Sequence, residues 1–345
     1  MQHHNTVLIL GARGRFGLTA ARAFAQAGWR VLAQTRPGAT LPSAESGDLL
    51  SDRSLQWLQV DLYNTAALAQ AAQGADVVVH ALNPAYTNKA WQEQVLPMTD
   101  AAIALTRALG ATLMVPGNIY NFGPSMPVLL REGTPQVAKT VKGQVRIALE
   151  QRLQHSGVRS IVLRAGDFFG GGRGTWFDTA MVKNIRKGAF TYPGPKDVSR
   201  AWAYLPDLAR TFVAVAEKRA MLPDFEVLHF AGHRITGQRW LDVLTPVARA
   251  QGWIKADATL RLSGLPWPII RIGALVLPTW DALLEMRYVW QVQHALANDK
   301  LCALIGEEPH TSLGQAAQLA LADLGLLEST ERRFVTDALG SGAVQ

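Results

Sequence analysis

Residues 5–17, Asn-Thr-Val-Leu-Ile-Leu-Gly-Ala-Arg-Gly-Arg-Phe-Gly, leave this chain few ways to fold. A short apolar run, Val7 to Leu10, ends on Gly11, Gly14 and Gly17, and an alanine-rich segment follows. That order reads as a buried strand, a tight turn and a helix start. The first glycine permits the turn, the second lets backbone approach a pyrophosphate, and the third lets helix pack on strand. The helix N-terminus then offers its free N–H groups and positive dipole end to the phosphates. Glycine-rich loops are common, but here the strand–turn–helix context that such a motif needs is present. The stretch predicts a dinucleotide-binding loop, with Gly11, Arg13, Gly14, Arg15, Phe16 and Gly17 at the cofactor.

Charge selects which cofactor. The second strand, Trp29 to Ala33, runs into Gln34-Thr35-Arg36, and no Asp or Glu stands near its end. An NAD binder usually places an acid there for the ribose 2′-hydroxyl, whereas arginine accommodates a 2′-phosphate. Arg13 and Arg15 in the loop and Arg36 opposite it each present a planar fork of donors, although at least one is expected to be a solvated surface residue. NADP(H) is therefore expected over NAD(H).

At 345 residues the chain has ample material for a buried core, in one large domain or two. With 48% hydrophobic and 18% charged residues it is expected to be ordered. The net charge of +7 suits anionic ligands but is spread along the chain without a dense basic block, which argues against a nucleic-acid partner. One cysteine, Cys302, excludes an internal disulfide and a cysteine-based zinc site, and no metal is expected. His3 and His4 lack ligand-spaced partners. The first strand begins too early for a signal peptide, so cytoplasmic residence is the expectation. Leu262 to Trp280 is the most apolar later stretch, but Arg271 and three prolines interrupt it, so no membrane partner is expected.

Strand and helix patterns then alternate. Leu55–Val60, Ala75–His80, Ala111–Val115 and Ser160–Leu163 read as strands, and Thr65–Ala72, Val95–Leu109 and Val137–His155 as helices. Such alternation predicts an α/β fold, a doubly wound parallel (Rossmann) sheet. Ligands in these sheets sit outside the carboxyl ends of the strands. That rule selects Gly11–Gly17, Arg36, Asp61-Leu62, His80–Pro84, Pro116–Tyr120 and Arg164–Gly174.

These pieces together resemble an extended short-chain dehydrogenase/reductase, of the NAD(P)-dependent epimerase/dehydratase superfamily. The matching motifs are Gly11-x-x-Gly14-x-x-Gly17, Asp61-Leu62, His80-Ala81, Asn118-Ile-Tyr120-Asn-Phe-Gly123, Leu163-Arg164 and Tyr204-Leu-Pro-Asp207-Leu-Ala209. They span about two thirds of the chain in the expected order. The resemblance implies that Asp61 and Leu62 contact the adenine and that His80, Ala81 and Leu82 line the cofactor. It also implies a smaller C-terminal substrate-binding domain. On that reading residues 1–165 form the dinucleotide domain, to which 203–230 return, and 166–202 with 231–340 bind substrate. A homodimer through two helices of the cofactor domain is the assembly it suggests.

The departures are as informative. The superfamily normally carries Tyr-x-x-x-Lys on the helix after the fifth strand, where the lysine lowers the tyrosine's pKa for proton exchange. Here, aligning Glu150 with the acid that often follows the pair puts Lys142 at the tyrosine position and Arg146 at the lysine position. The usual upstream serine is replaced by Pro116-Gly117-Asn118. Lys142, desolvated beside Arg146, is a candidate proton donor or base; alternatively Arg146 pairs with Glu150 and Lys142 points to water. Tyr120 is the other proton-transfer candidate or a packing residue, and Asn118 a candidate carbonyl ligand or a turn residue. Asp207 is most simply the cap of a helix over Leu208–Glu217.

In the loop Arg164-Ala-Gly-Asp-Phe-Phe-Gly-Gly-Gly-Arg-Gly-Thr-Trp176, glycine density predicts a mobile substrate lid. Asn83, Arg164, Asp167, Arg173 and Trp176 are the candidate substrate contacts. A helix over Gln238–Ala250 and a final one over 311–325, capped by Thr311 or Ser312, complete the reading. The leading function is an NADPH-linked reductase of a small carbonyl or activated alkene, with Lys142 or Tyr120 supplying the proton. The alternatives are a sugar-nucleotide epimerase or dehydratase with bound NAD(P), and a non-catalytic NADP sensor.

Overall fold

A computed structural model of the chain describes residues 5–41 and 55–327; His3 and His4 lie outside them. The first half runs β1 (Thr6–Leu10), α1 (Arg15–Gln26), β2 (Arg30–Thr35), β3 (Leu55–Gln59), α2 (Thr65–Ala71), β4 (Val77–His80), α3 (Asn88–Leu109), β5 (Thr112–Gly117), β6 (Leu129–Leu130) and α4 (Val141–Gln154). It continues with β7 (Ser160–Arg164), β8 (Asp167–Phe169), β9 (Ala189–Tyr192), β10 (Arg200–Tyr204), α5 (Leu205–Glu217), β11 (Phe225–His229), β12 (His233–Ile235) and α6 (Gly237–Ala250). Last come β13 (Arg261–Gly264), α7 (Trp267–Gly273), α8 (Pro278–Glu285), β14 (Ala295–Leu296), α9 (Asp299–Ile305) and α10 (Leu313–Asp323).

Seven strands form one sheet in the order β11-β7-β5-β4-β1-β2-β3, every neighbouring pair parallel. Parallel strands covered on both faces need continuous apolar runs, and Val7–Leu10, Val77–Val79 and Ile161–Leu163 are wholly buried. On one face Phe16, Ala20 and Phe24 of α1 pack with Leu208, Phe212 and Val215 of α5. On the other, Leu68 of α2, Ala102 and Leu105 of α3 and Leu149 of α4 close the core. Strand order reverses between β1 and β4, which opens the ligand crevice of such sheets above those two strand ends.

Beyond β7 the packing changes character. β8, β10 and β12 form a separate three-stranded sheet, over which Phe169, Phe177, Tyr192, Trp202, Trp240 and Trp290 build an aromatic core. Many of these rings meet edge to face, as aromatic quadrupoles prefer, for instance Phe169 on Trp240 at 5.1 Å and 88°.

Several boundaries differ from expectation. α3 starts at Asn88 rather than Val95, capped by Thr87 Oγ1 accepting from Ala90 N at 3.2 Å. Pro97 lies inside this helix, although proline favours the first turn, the position the sequence suggested. α4 starts at Val141, because Thr140 Oγ1 accepts from Gly143 N at 3.2 Å and ends the preceding loop there. α5 begins at Leu205 with Pro206 in its first turn, so Asp207 stands inside the helix and is not its cap. Its carboxylate accepts instead from Thr311 N and Thr311 Oγ1 at 2.6 and 2.7 Å and from Arg210 at 2.6 Å. Ser312 therefore caps α10 alone.

Candidate active site

The glycine turn leaves β1 at the crevice. Gly11 has φ +73°, where side chains are strained, and a Cβ on it would lie 2.9 Å from Leu82 Cδ2. At Gly17 a Cβ would stand 2.5 Å from Gly11 O, so only glycine lets α1 meet the turn this closely. Gly14 is the N-cap of α1 and brings no side chain to cap its first turn. The result is a concave backbone surface facing a helix N-terminus, which fits a pyrophosphate. Gln34 stiffens it: its side chain accepts from Gly11 N at 3.1 Å and donates to Val60 O at 2.8 Å, tying the ends of β1, β2 and β3 together. With Gln34 turned inward, exposed Arg36 is the first residue past the strand, and exposed Arg13 lies in the turn itself.

Other expected cofactor residues are placed differently. Arg15 reaches away from the turn and donates to Arg173 O at 3.3 Å. Phe16 is buried against Phe212, the ring centroids 4.8 Å apart. His80 ends β4 facing α3, with Nε2 3.5 Å from Thr99 Oγ1, and burial pushes its pKa down to about 4. Its neutral imidazole is thus part of the core rather than of the crevice wall. Leu62 is buried beneath the sheet edge, Asp61 is exposed and accepts from Tyr63 N, and Ala81 and Leu82 are half-buried at the crevice.

A second cluster gathers over the end of β5. α4 reaches it because Gly143 packs where a Cβ would lie 2.6 Å from Tyr120 O. Lys142, next to it, is fully buried, donates to Asn88 Oδ1 at 2.5 Å and sits over the Tyr86 ring at 4.6 Å. Burial lowers its pKa to about 8, against the opposing pull of Glu285 and Asp281. A lysine there exchanges protons near neutral pH. Arg146, one turn on, lies over Trp91 at 5.1 Å and donates to Pro116 O at 3.4 Å. It does not pair with Glu150.

Tyr120 completes the cluster. Burial raises its phenol and that of Tyr86 above their ordinary range, while neighbouring Tyr86, then Arg146 and Arg200, pull Tyr120 back down. Both phenols therefore stay protonated at neutral pH, which leaves Lys142 as the group able to gain or lose a proton. Asn118 Oδ1 is used in its own turn, accepting from Tyr120 N at 3.0 Å.

Arg164, expected to contact substrate, is instead structural. It is fully buried, and Nε and Nη2 grip Glu150 at 3.0 and 2.5 Å in a two-pronged pair. Asp167 pairs with Arg200, whose guanidinium stacks 3.4 Å from the Trp290 ring centroid. Arg200 Nε and Nη1 are buried and have no hydrogen-bond partner. Arg173 donates to Leu324 O at 3.1 Å and so clasps the end of α10. Trp176 meets Trp290 edge to face at 5.1 Å, and Asn83 is exposed after β4.

The glycine loop 170–174 thus runs over the start of α1. Gly171 N donates to Asp323 at 3.1 Å, and its Cα faces Thr19, where a Cβ would lie 2.7 Å from Oγ1. A cleft of about 390 Å³ behind β7 is lined by Glu132, Gln136 and Arg164 and lies apart from the Lys142 cluster. Sequence reasoning missed Tyr86, Asn88, Arg200, Glu285 and Tyr288. Tyr86 follows β4 within reach of the strand-end rule that selected His80–Pro84. Glu285, which accepts from Val141 N at 2.5 Å, and Tyr288, which donates to Tyr120 O at 3.5 Å, come from a distant segment without a local signal.

The NmrA-like family matches residues 3–105. Among curated proteins none matches the sequence. A solved structure from Burkholderia cenocepacia J2315 superposes with a TM-score of 0.70 at 18% identity, covering 93% of this chain and 97% of that one. The UDP-glucuronic acid 4-epimerase of Bacillus cereus, solved with UDP-glucuronic acid and NAD, gives 0.68 at 16% identity over 94% and 100%. The NAD-dependent NDP-hexosamine 5,6-dehydratase TunA gives 0.64 at 14% over 94% and 99%. The chain shares the fold of these structures over nearly its whole length.

Proposed function

We propose that this chain is a nicotinamide-dinucleotide-dependent enzyme of the epimerase/dehydratase kind, acting on a nucleotide-linked sugar. The observation that carries the reading is Lys142: a buried lysine with a pKa of about 8, held by Asn88 over the Tyr86 and Trp91 rings. Gly11, Gly14 and Gly17 with the start of α1 would hold the pyrophosphate, and Arg13 and Arg36 a 2′-phosphate, which favours NADP(H) over NAD(H). When bound, the dinucleotide supplies reversible two-electron oxidation of a substrate carbinol carbon.

The chain's own residues supply the proton chemistry. Neutral Lys142 Nζ takes the hydroxyl proton as the carbonyl forms and returns it as the carbonyl is reduced again. Asn88 Oδ1 fixes the position of Nζ. Arg146 stands as a permanent cation beside Tyr120 and stabilises negative charge developing on oxygen. Lys142 and Arg146 thereby occupy the roles of the superfamily's tyrosine and lysine.

A second reading, an NADPH-consuming reductase of a small carbonyl or activated alkene, is favoured by Arg13, Arg36 and the absence of an acid at the end of β2. Turnover assays with nucleotide sugars and simple carbonyls separate the two. An epimerase or dehydratase leaves the ratio of reduced to oxidised dinucleotide unchanged after turnover, whereas a reductase converts NADPH to NADP+ mole for mole with substrate. Lys142→Met is expected to lower turnover about 10²–10⁴-fold while dinucleotide affinity, read by tryptophan quenching, stays within a few-fold. Unchanged turnover removes Lys142 from the chemistry. Dinucleotide binding without any turnover would leave the chain a cofactor sensor.

A further inference from the structure

Eleven large apolar side chains stand exposed among the described residues, and five of them fall between positions 269 and 277. These are Ile269, Ile272, Leu275, Val276 and Leu277, at the connected ends of α7 and α8, with exposures from 45% at Leu277 to 85% at Leu275. The other ends of the hairpin are fastened to the body. Trp267 Nε1 donates to Pro193 O at 2.8 Å, Asn88 Nδ2 to Asp281 at 3.1 Å and Val141 N to Glu285 at 2.5 Å. The apolar tip is therefore the free end of a two-helix projection. The other six are spread along the chain, whereas these five fall within nine residues, and an apolar patch of this kind marks an interaction surface.

We infer that this tip docks on the surface of an anionic lipid bilayer. From Ala258 to Trp280 the charged residues are Arg261 and Arg271, and there is no Asp or Glu. The nearest acids, Asp281 and Glu285, are engaged with Asn88 and Val141 of the body. A tip combining exposed Ile, Leu and Val with Arg271, and with Trp280 beside it, has the composition of an in-plane membrane contact. A second copy of the chain is a poorer occupant. A two-fold contact sets tip against tip and brings Arg271 of each copy together with no acid to receive them. No helix among the described residues is long and apolar enough to cross a membrane, so the contact lies in the plane of the interface. The sequence expectation concerned a membrane span, which the structure does not offer among the described residues; the inference concerns an in-plane contact and stands independently of the reaction proposed above.

Sedimentation with phosphatidylcholine vesicles, with and without phosphatidylglycerol, tests it on the full chain. The wild-type chain is expected to bind the phosphatidylglycerol vesicles at least tenfold more tightly than the neutral ones. Leu275→Asp combined with Val276→Asp should abolish binding with the melting temperature unchanged, since both side chains are already in water. Arg271→Ser should remove the preference for anionic lipid and spare the rest. A chain that stays in the supernatant with both vesicles overturns the inference, as does a double variant that still sediments. A vesicle-independent dimer, seen by light scattering and lost in the double variant, assigns the tip to a second copy and also overturns it.

Discussion

The turn at β1 and the cluster over β5 lie at neighbouring ends of one sheet, yet they are built by opposite means. The turn is backbone: three glycines, a helix N-terminus and one buried glutamine that ties three strands together. The cluster is side chain: Tyr86, Asn88, Tyr120, Lys142, Arg146, Glu285 and Tyr288, drawn from segments as far apart as α3 and α8. A backbone site tolerates changes around it as long as the glycines remain. A side-chain site in a dry pocket depends on each partner, because an unpaired buried charge is expensive.

The largest expected effect is at Glu150, which holds Arg164 in the interior between α4 and β7. Glu150→Ala leaves a fully buried guanidinium without its partner and should cost about 3–5 kcal/mol in urea unfolding. Dinucleotide affinity of the folded fraction should move little, because the glycine turn is made elsewhere. A comparable loss of affinity would show that the two sites are one cooperative unit. Gly17→Ala attacks the other side of the comparison. Its methyl would lie 2.5 Å from Gly11 O, so a loss of about 1–3 kcal/mol in stability is expected, with dinucleotide binding weakened at least tenfold. Full affinity in that variant would move the cofactor away from this turn.

The smallest effect sharpens the contrast electrostatically. Lys142 has a pKa lowered from 10.5 to about 8, so between those values the unfolded chain binds more protons than the folded one. Stability from this group should then rise with pH across that window, by at most about 1.4 kcal/mol per pH unit. Lys142→Met should flatten that part of the wild-type pH profile of urea unfolding. An identical slope in both proteins would mean that Lys142 is not desolvated as described.

The same contrast explains what the sequence disclosed. Gly11, Gly14 and Gly17 are legible because a local backbone shape requires them in order, and the alternation of strand and helix follows from local apolar runs. Lys142 was singled out by its place on α4. Its partners were not, since Asn88 looks like any polar residue before a helix and Glu285 lies 144 residues from the amide it accepts from. Arg164 misled for the opposite reason. Its position at a strand end pointed to the crevice, while Glu150, fourteen residues away in sequence, claims it in the interior. His80 is similar, since the pleat turns its ring toward Thr99.

One feature of the glycine loop bears on how the molecule is made. Its cover over the start of α1 is held by Arg173 on Leu324 O and by Gly171 on Asp323, at the end of the final described helix. A growing chain can form β1, the turn and α1 early, but it cannot fasten that cover until residue 324 has left the ribosome. The nascent protein therefore leaves the glycine turn uncovered until α10 has emerged, and closure coincides with its arrival.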